Sequence, residues 1–317
     1  MGFDRDQIKA AAGTLAQEGV LIGTSSWKYP GWLGQLYDQS RYVWHGRYSE
    51  SRLERLCLIE YGQVFKTVCV DAAYYKFPET RSLEDLASQV PADFQFAFKV
   101  TDQITLKRFA DLPRFGLRAG QTNPDFLNAD LFVSDFLKPC EVIRQHVGLL
   151  IFEFSRFYPA DFERGRDFVA VLDQFLARLP KGWPYAVEIR NRHFLQGEYF
   201  SMLARHGVAH VYNSWQDMPS IGEQMAIPES RTTPNLVGAR FLLRPGRSYE
   251  EAVKAFKPYD RIKDLYPEGR TAGAGLIRQA RKRHGTARSY LYVNNRFEGN
   301  ALETIAGMIE MAEAETS

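Results

Sequence analysis

The stretch YAVEIRNRHF, residues 185–194, reads as a buried strand with a charged end. Tyr185, Val187 and Ile189 fall on one side of the predicted strand, and Glu188 and Arg190 fall on the other. An unpaired charge in a protein interior costs several kcal/mol or more, so these two side chains need partners on neighbouring strands. The stretch therefore predicts a sheet whose strands end in paired charges.

Seven further apolar runs alternate with segments of helical spacing along the rest of the chain. The eight predicted strands are VLIGTSSW (20–27), FKTVCVDAAYY (65–75), FQFAFKV (94–100), GLLIFEF (148–154), PYAVEIRN (184–191), VAHVYNS (208–214), LVGARFLL (236–243) and ARSYLYVNN (287–295). The predicted helices are SESRLERLCLIEYG (49–62), SLEDLASQV (82–90), ADLFVSDFLKPCEVIRQHV (129–147), DFERGRDFVAVLDQFLARLP (161–180), EYFSMLARHG (198–207), YEEAVKAFKPYDRIKDL (249–265) with AGLIRQARKRHG (274–285), and GNALETIAGMIEMAEA (299–314).

This alternation predicts an α/β fold, a single (β/α)8 TIM barrel with long loops after strands one and three. We treat residues 1–317 as one domain, preceded within it by a helical extension over residues 1–19. An open doubly wound sheet is the alternative architecture. It would be expected to carry a Gly-rich phosphate turn after its first strand, but GTSSWKYPG is not GxGxxG and no Walker A pattern occurs. No nucleotide-cofactor motif is therefore found.

Composition restricts the partners and the compartment. Forty basic against 38 acidic residues give a formal net charge of +2, so nucleic acid is not favoured as a partner by net charge. Cys57, Cys69 and Cys140 form neither a CxxC pair nor a disulfide framework, which suits a reducing compartment. No signal peptide or membrane-length apolar run is found, so we expect a cytoplasmic protein with no membrane partner.

Polar residues end the predicted strands, and in a barrel such residues meet at the C-terminal mouth. They are Asp71, Lys99, Glu153, Glu188 with Arg190, Asn213 or Ser214, Arg240, and Asn294 or Asn295, with Thr24 and Ser26 on the first strand. We expect the six charged side chains to pair there. A structural salt-bridge network and a catalytic site are both compatible with the pattern.

The carboxylates leave the chemistry open. Glu153 and Glu188 lie on neighbouring strands, so they can serve as an acid and a base. With Asp71 they can equally hold a divalent metal such as Mg²⁺ or Mn²⁺ as oxygen ligands. No HExxH or Cys/His cluster indicates zinc, and no GxSxG elbow indicates a serine nucleophile.

Two long loops carry further candidates. The loop at 27–48 is rich in aromatic residues, most of which we expect to form a satellite core, with Tyr29 and Trp32 as candidates for stacking on a ligand. The loop at 101–126 carries Lys107, Arg108, Arg114 and Arg118 and is long enough to be a lid or a binding loop.

Six blocks occur together and in order: LIGTSSWKYPGWLGQLY, FKTVCVDAAYYKFP, PADFQFAFKVTDQIT, LLIFEF, YAVEIRN and YVNNRFEGNALE. Together they resemble the YecE-like family, a domain of unknown function, over about residues 20–305. The resemblance implies a single TIM barrel and invites comparison with sugar-phosphate isomerase and endonuclease-like barrels, but it supplies no established reaction. Residues that fit the family pattern are Gly23, Trp27, Tyr29, Trp32, Tyr37, Tyr75, Pro78, Lys99, Thr105, Glu188, Arg190, Arg240, Asn295, Gly299 and Ala301.

The chain also departs from the family pattern, chiefly at its acids. Cys69 and Asp71 stand where the family usually has Glu and Asn, and Glu153 replaces a usual glutamine. Leu106 and Asn191 each replace a usual histidine, and Phe194 replaces a usual tryptophan. These changes indicate either a mouth altered for another ligand or a family activity that has been lost.

The sequence thus leads to three hypotheses. The first is an enzyme acting on a phosphorylated, sugar-like or nucleotide ligand, with Glu188, Asp71, Glu153 and Lys99 in acid/base or metal-assisted roles. Its ligand contacts are predicted to be Arg190, Arg240, Tyr29, Trp32, Tyr75, Asn213 and Asn295. The alternative is a nucleic-acid-binding or endonuclease-like barrel, and the third is a non-catalytic binding scaffold.

Overall fold

A computed structural model describes residues 2–283 and 287–314. Its principal strands are β1 (Val20–Thr24), β2 (Thr67–Val70), β3 (Gln95–Lys99), β4 (Val147–Phe154), β5 (Tyr185–Ile189), β6 (Ala209–Asn213), β7 (Leu236–Phe241) and β8 (Arg288–Val293). These parallel strands close into one barrel in the order β1-β8-β7-β6-β5-β4-β3-β2. The predicted TIM barrel is confirmed, and each of the eight predicted runs coincides with one of these strands, although β4 begins one residue before its run.

Helices and turns connect the strands on the outside of the barrel. The longer α-helices are α1 (Arg5–Gln17), α2 (Glu50–Val64), α3 (Thr80–Ser88), α4 (Gly165–Ala177), α5 (Gly197–His206), α6 (Tyr249–Phe256), α7 (Pro267–Arg281) and α8 (Ala301–Ala314). Shorter helical turns span Pro30–Trp32, Gln39–Tyr42, Ala72–Tyr75, Asp102–Thr105, Pro113–Arg118, Ala129–Leu131, Phe132–Leu137, Lys138–Cys140, Glu141–His146, Arg192–Phe194, Ile221–Met225 and Pro228–Ser230. A small hairpin pairs Val43–Trp44 with Arg47–Tyr48.

Several predicted elements have different bounds in the structure, and the helix predicted over 129–147 is divided into four short helical turns. The strand predicted over 65–75 ends at Val70, and Ala72–Tyr75 forms a helical turn instead. The helix predicted over 249–265 ends at Phe256, because the residue before Pro258 is disfavoured in the helical conformation. The next helix begins at Pro267, a residue well suited to a first helical position, and its predicted end at 284–285 lies outside the described residues.

Alternate side chains along each strand divide the buried residues into two layers. The outward layer packs on the helices as the main hydrophobic core. The barrel interior holds a separate cluster of Leu21, Cys69, Ala97, Leu149, Ile151, Ala186, Ala209, Val211, Tyr290 and Tyr292. The interior is thus a packed core. The next inward-facing residues, at the C-terminal ends of the strands, form the floor of the mouth.

Among the described residues, no helix combines the length and the apolar character that crossing a membrane requires.

Candidate functional site

Along the strands, the inward-facing side chains change from apolar in the barrel interior to polar at the floor of the mouth. Lys99, Glu153, Glu188 and Arg240 each stand two residues after an interior position, namely Ala97, Ile151, Ala186 and Gly238. Because side chains two residues apart point to the same face of a strand, these four charges lie inside the barrel. Glu153 is level with Glu188 in the β4–β5 register, and Asn213 is level with Arg240 between β6 and β7.

Glu153 is the centre of this floor. Its Oε2 atom accepts contacts from Lys99 Nζ at 2.7 Å, from Arg190 Nη2 at 2.8 Å and from Arg240 Nη1 at 2.9 Å. Burial alone would raise the pKa of this carboxyl, but the three cations outweigh burial and hold the pKa well below its usual value. Glu153 therefore stays ionised at neutral pH.

Glu188 holds the two arginines in place. Its Oε1 lies 3.2 Å from Nη2 of Arg190 and also accepts from Nε of that residue at 3.2 Å, and its Oε2 lies 2.7 Å from Arg240 Nη1. The Glu188 side chain has no exposed surface. Both of its oxygens thus face guanidinium groups, so Glu188 orients Arg190 and Arg240 rather than opening to solvent.

Asp71 is the exposed acid of the set. Its Oδ1 lies 3.5 Å from Arg240 Nη2 and 4.0 Å from Lys99 Nζ, and 35% of its side chain is exposed. These distances exceed hydrogen-bond length, and Oδ1 has no hydrogen-bond partner among the described residues. Asp71 is therefore ion-paired with two cations but is held less tightly than the other acids.

We call these six residues the mouth network: Asp71, Lys99, Glu153, Glu188, Arg190 and Arg240. Three acids and three bases sum to a formal charge of zero. Burial would lower the pKa of Lys99, but Glu153 and Asp71 raise it by more, so its ammonium stays charged. The expected pairing of the six strand-end charges is confirmed. About 10% of the side chains of Lys99 and Arg190 is exposed, against 3% for Arg240.

Tyr74, rather than Tyr75, borders the network after β2. The ring centroid of Tyr74 lies 3.9 Å from Lys99 Nζ, a cation–π contact, and the side chain is almost fully buried. Tyr75 is 62% exposed and packs against Tyr74 and Arg114. In the helical turn at 72–75 it is therefore the Tyr74 ring that faces the network, while the Tyr75 ring faces solvent.

A second wall carries aromatic rings and an arginine. Arg190 lies 3.9 Å from the Trp215 ring, and the Trp215 and Tyr249 rings are 6.5 Å apart. The Arg296 guanidinium lies 4.6 Å from the Tyr249 ring. Trp215 follows β6, Tyr249 begins α6 and Arg296 follows β8. These rings connect the mouth network to Arg296.

Tyr29 lies on the wall beyond β1 and is half-buried. Its ring packs 4.8 Å from Trp32 and 5.7 Å from Tyr259. Burial raises the pKa of its hydroxyl to about 12, and the charges of Arg296 and Asp71 both act on it. Trp32 is fully buried beneath this wall, so its ring has no free face for the stacking on a ligand that the sequence suggested.

The polar residues at the other strand ends take different positions. Asn213 is buried, donates to Ile189 O at 3.1 Å, and leaves its Oδ1 without a partner among the described residues. Asn295 Oδ1 accepts from Ala301 N at 2.8 Å and so caps α8. Thr24 was expected inside the mouth with Ser26, but its hydroxyl contacts Tyr61 of α2 at 2.9 Å and thus faces outward.

The basic side chains of the loop at 101–126 have partners within the protein. Arg114 contacts Asp102 at 2.6 Å and Arg108 contacts Asp161 at 3.8 Å. Lys107 lies over the Phe126 ring and Arg118 over the Phe109 ring. In the aromatic loop at 27–48, Trp27, Trp32, Tyr37 and Tyr42 are buried as expected of a satellite core, whereas Trp44 and Tyr48 of the hairpin are exposed.

A metal centre at Asp71, Glu153 and Glu188 is not favoured by this geometry. Within residues 2–283 and 287–314, no group of three or more His, Cys, Asp or Glu side chains is arranged to hold a metal ion. The oxygens of Glu153 and Glu188 face ammonium and guanidinium groups at hydrogen-bonding distances, so a cation would have to displace them.

Sequence reasoning missed the residues that wall the mouth: Tyr74, Trp215, Tyr249, Tyr259 and Arg296. They stand in loops or at helix starts, where no strand alternation predicts direction. Arg296 had one available signal, since it directly follows Asn294 and Asn295 at a predicted strand end.

Comparisons with known proteins agree with the fold. The sequence model of the family described as "Protein of unknown function DUF72" matches residues 21–317. A DUF72 family protein from Thermotoga maritima MSB8 has 18% identity, a TM-score of 0.59 and coverage of 94% of this chain and 99% of that one. A DUF72 family protein from Enterococcus faecalis V583 has 18% identity, a TM-score of 0.58 and coverage of 93% and 95%. No curated protein matches the chain.

Proposed function

The chain belongs to the DUF72 family, whose function is unknown, and on that premise we propose that its barrel mouth binds a small phosphorylated, sugar-like or nucleotide ligand and acts on it by acid/base chemistry. One observation carries this proposal: an acid, Asp71, with 35% of its side chain exposed, and two cations, Lys99 and Arg190, with about 10% each, lie at the exposed edge of an otherwise buried network. A polar ligand at this edge would meet an acid and two cations.

The buried network supports a functional role over a purely stabilising one. Removing charges from water is expensive, and replacing a buried ion pair by apolar residues is often neutral or stabilising. Six charges in a barrel whose interior is otherwise apolar are therefore a poor way to gain stability. Preorganised charges at a fixed site are, in contrast, what electrostatic catalysis needs.

The exposed fractions suggest how the roles divide. Asp71 is the acid that solvent reaches, so we assign to it the proton transfer for which the sequence also offered Glu188. Lys99 and Arg190 are the cations at the surface of the network, and we assign to them the contacts with ligand oxygens. Glu153, Glu188 and Arg240 act through these residues as positioning residues.

Partners and location follow from the same proposal. The ligand is small and polar or anionic, neither nucleic acid nor a membrane is required, and the chain works as one domain. The cysteines Cys57, Cys69 and Cys140 are free and buried. We accordingly propose a cytoplasmic protein.

The test is a thermal-unfolding screen of the full chain against sugar phosphates and nucleoside monophosphates. A ligand that binds only the folded state raises the unfolding temperature. We expect at least one compound to do so, and we expect Arg190→Gln to abolish the shift. Arg156→Gln is the matched control, because Arg156 forms an exposed ion pair with Asp217 beyond β4, at the same end of the barrel.

The same compound then tests the chemistry. Asp71→Asn should retain binding but lose turnover, which nuclear magnetic resonance of the compound incubated with protein would detect. If every shift is equal in the wild type, Arg190→Gln and Arg156→Gln, the site is misassigned. If no compound stabilises the wild type, the non-catalytic scaffold becomes the better account.

A further inference from the structure

The mouth network cannot by itself attract an anion, because its three acids balance its three bases. A phosphate group carries up to two negative charges near neutral pH. A ligand with such a group needs an additional cation close to the network. The cation has to be one whose charge is not already neutralised by a carboxylate.

Arg296 meets that requirement. No carboxylate of residues 2–283 or 287–314 lies within 4.0 Å of its guanidinium. Its Nε atom is buried and has no hydrogen-bond partner among those residues. A buried donor without a partner costs free energy, so a guanidinium held in this way is suited to a ligand that supplies an acceptor.

Arg296 belongs to the same mouth as the network. Burial raises the pKa of the Tyr29 hydroxyl, and the charges of Arg296 and Asp71 both act on it, so Tyr29 lies within electrostatic reach of both. On the other side Arg296 lies over the Tyr249 ring at 4.6 Å, and Tyr249 leads through Trp215 to Arg190. Arg296 is thus linked to the exposed edge of the network through two aromatic rings.

Tyr259, which interacts with Arg296, lies in a strained segment. Burial raises the pKa of the Tyr259 hydroxyl, and Arg296 acts to lower it. Tyr259 has a φ of 70°, a left-handed conformation that is unfavourable for an aromatic residue. Asn300 donates to Tyr259 O at 3.3 Å, and Gln35 donates to Asp260 O at 2.8 Å. Contacts from two directions therefore hold this wall in place despite its cost.

We propose that Arg296 binds the phosphate group of the ligand taken by the mouth, so that the substrate class is a phosphomonoester whose polar body reaches Asp71. This inference rests on the proposed function and deepens it. Guanidinium groups bind phosphate oxygens in a bidentate manner, and aromatic contacts preorganise the guanidinium plane. In (β/α)8 barrels, phosphate groups commonly bind beyond strands seven and eight, and Arg296 follows β8.

The test compares matched pairs of probes on the full chain by isothermal titration calorimetry: ribose 5-phosphate with ribose, and adenosine monophosphate with adenosine. Arg296→Gln should weaken binding of the phosphorylated member roughly 10-fold or more and leave the unphosphorylated member unchanged. Arg296→Lys, which keeps the charge but loses the bidentate geometry, should recover part of the affinity.

Arg144→Gln is the control for loss of a stacked guanidinium. Arg144 lies 4.3 Å from the Trp183 ring, but it precedes β4 and so stands at the opposite end of the barrel. It should leave both probes unaffected. A loss of equal size for phosphorylated and unphosphorylated probes in Arg296→Gln, or no loss, would overturn the assignment while leaving the proposed function intact. If the wild type binds none of the four probes, the proposed function fails and this inference fails with it.

Discussion

Replacing Glu153 by glutamine removes the charge on which three cations converge. Lys99, Arg190 and Arg240 all lie within 2.9 Å of its Oε2, and the side chain is 2% exposed. Removing one partner of a buried ion pair leaves an uncompensated charge and typically costs about 3–5 kcal/mol. We expect Glu153→Gln to lower the free energy of unfolding by that amount.

A second substitution tests whether charge balance is the cause. Cys69 is buried in the barrel interior, and Arg240 and Lys99 both act on its thiol, whose pKa burial raises to about 12. The family resemblance implies a glutamate at position 69 and a glutamine at 153, so this chain has lost an acid at 69 and gained acids at 71 and 153. Cys69→Glu should therefore restore part of the stability that Glu153→Gln removes.

The effect of Cys69→Glu on the free energy of unfolding should have opposite signs in the wild type and in the Glu153→Gln background. In the wild type, Cys69→Glu adds an unpaired acid and overpacks the interior, so it should destabilise. In the Glu153→Gln background it restores the charge balance. The double-mutant cycle should give a coupling free energy of about 1–3 kcal/mol.

Urea unfolding followed by circular dichroism measures all four free energies. Glu141→Gln is the control, because Glu141 pairs with Arg144 at 3.1 Å but is 50% exposed, and an exposed pair contributes at most about 1 kcal/mol. If Glu153→Gln costs no more than Glu141→Gln, or if Cys69→Glu is equally harmful in both backgrounds, the account of the network is wrong.

Three further predictions use other parts of the structure. Burial lowers the pKa of His210 to about 4, against about 6.5 in the unfolded chain. The stability that depends on a neutral His210 is therefore complete above pH ~6.5 and is lost as the pH falls toward 4. The free energy of unfolding of the wild type should fall by roughly 3 kcal/mol over that range, as measured by urea titrations, and this fall should be absent from His210→Phe. The same pH dependence in both proteins would contradict the prediction. A Cβ on Gly31 would lie 2.1 Å from Pro258 O, so Gly31→Ala should displace the segment that holds Tyr259 and lower the melting temperature, whereas Gly13→Ala, with open space around it in α1, should raise it slightly. Tyr74→Ala should reduce ligand-induced thermal shifts through loss of the contact with Lys99, and Tyr75→Ala should not; equal effects would refute the assignment of Tyr74.

The fold could be predicted from the sequence because strand and helix patterns have different periods. Eight apolar runs alternating with helical segments admit few architectures, and the absence of a phosphate-binding glycine turn argued against the open sheet. The predicted ends of strands and helices are less accurate where the local composition favours one structure and the backbone adopts another. The run ending in DAAYY has strand composition, yet the backbone turns at Asp71.

The floor of the site could be predicted for the same reason, and its walls could not. Strand alternation determines the direction of Lys99, Glu153, Glu188 and Arg240, and closure of the barrel brings them together. Tyr74 and Arg296 stand in turns, where direction depends on backbone angles that tertiary contacts decide. Asn295 fits the family pattern, but its side-chain Oδ1 accepts from Ala301 N at the start of α8.

The most direct test of the central claim, that the mouth is an anion-binding site, is a crystal structure of the protein soaked in sodium tungstate, a tetrahedral dianion whose metal scatters anomalously. We predict an anomalous peak in the mouth, in contact with Arg296 and on the side of the network formed by Lys99 and Arg190. Tungstate bound only elsewhere on the protein, with the mouth network and Arg296 free of it, would contradict the account.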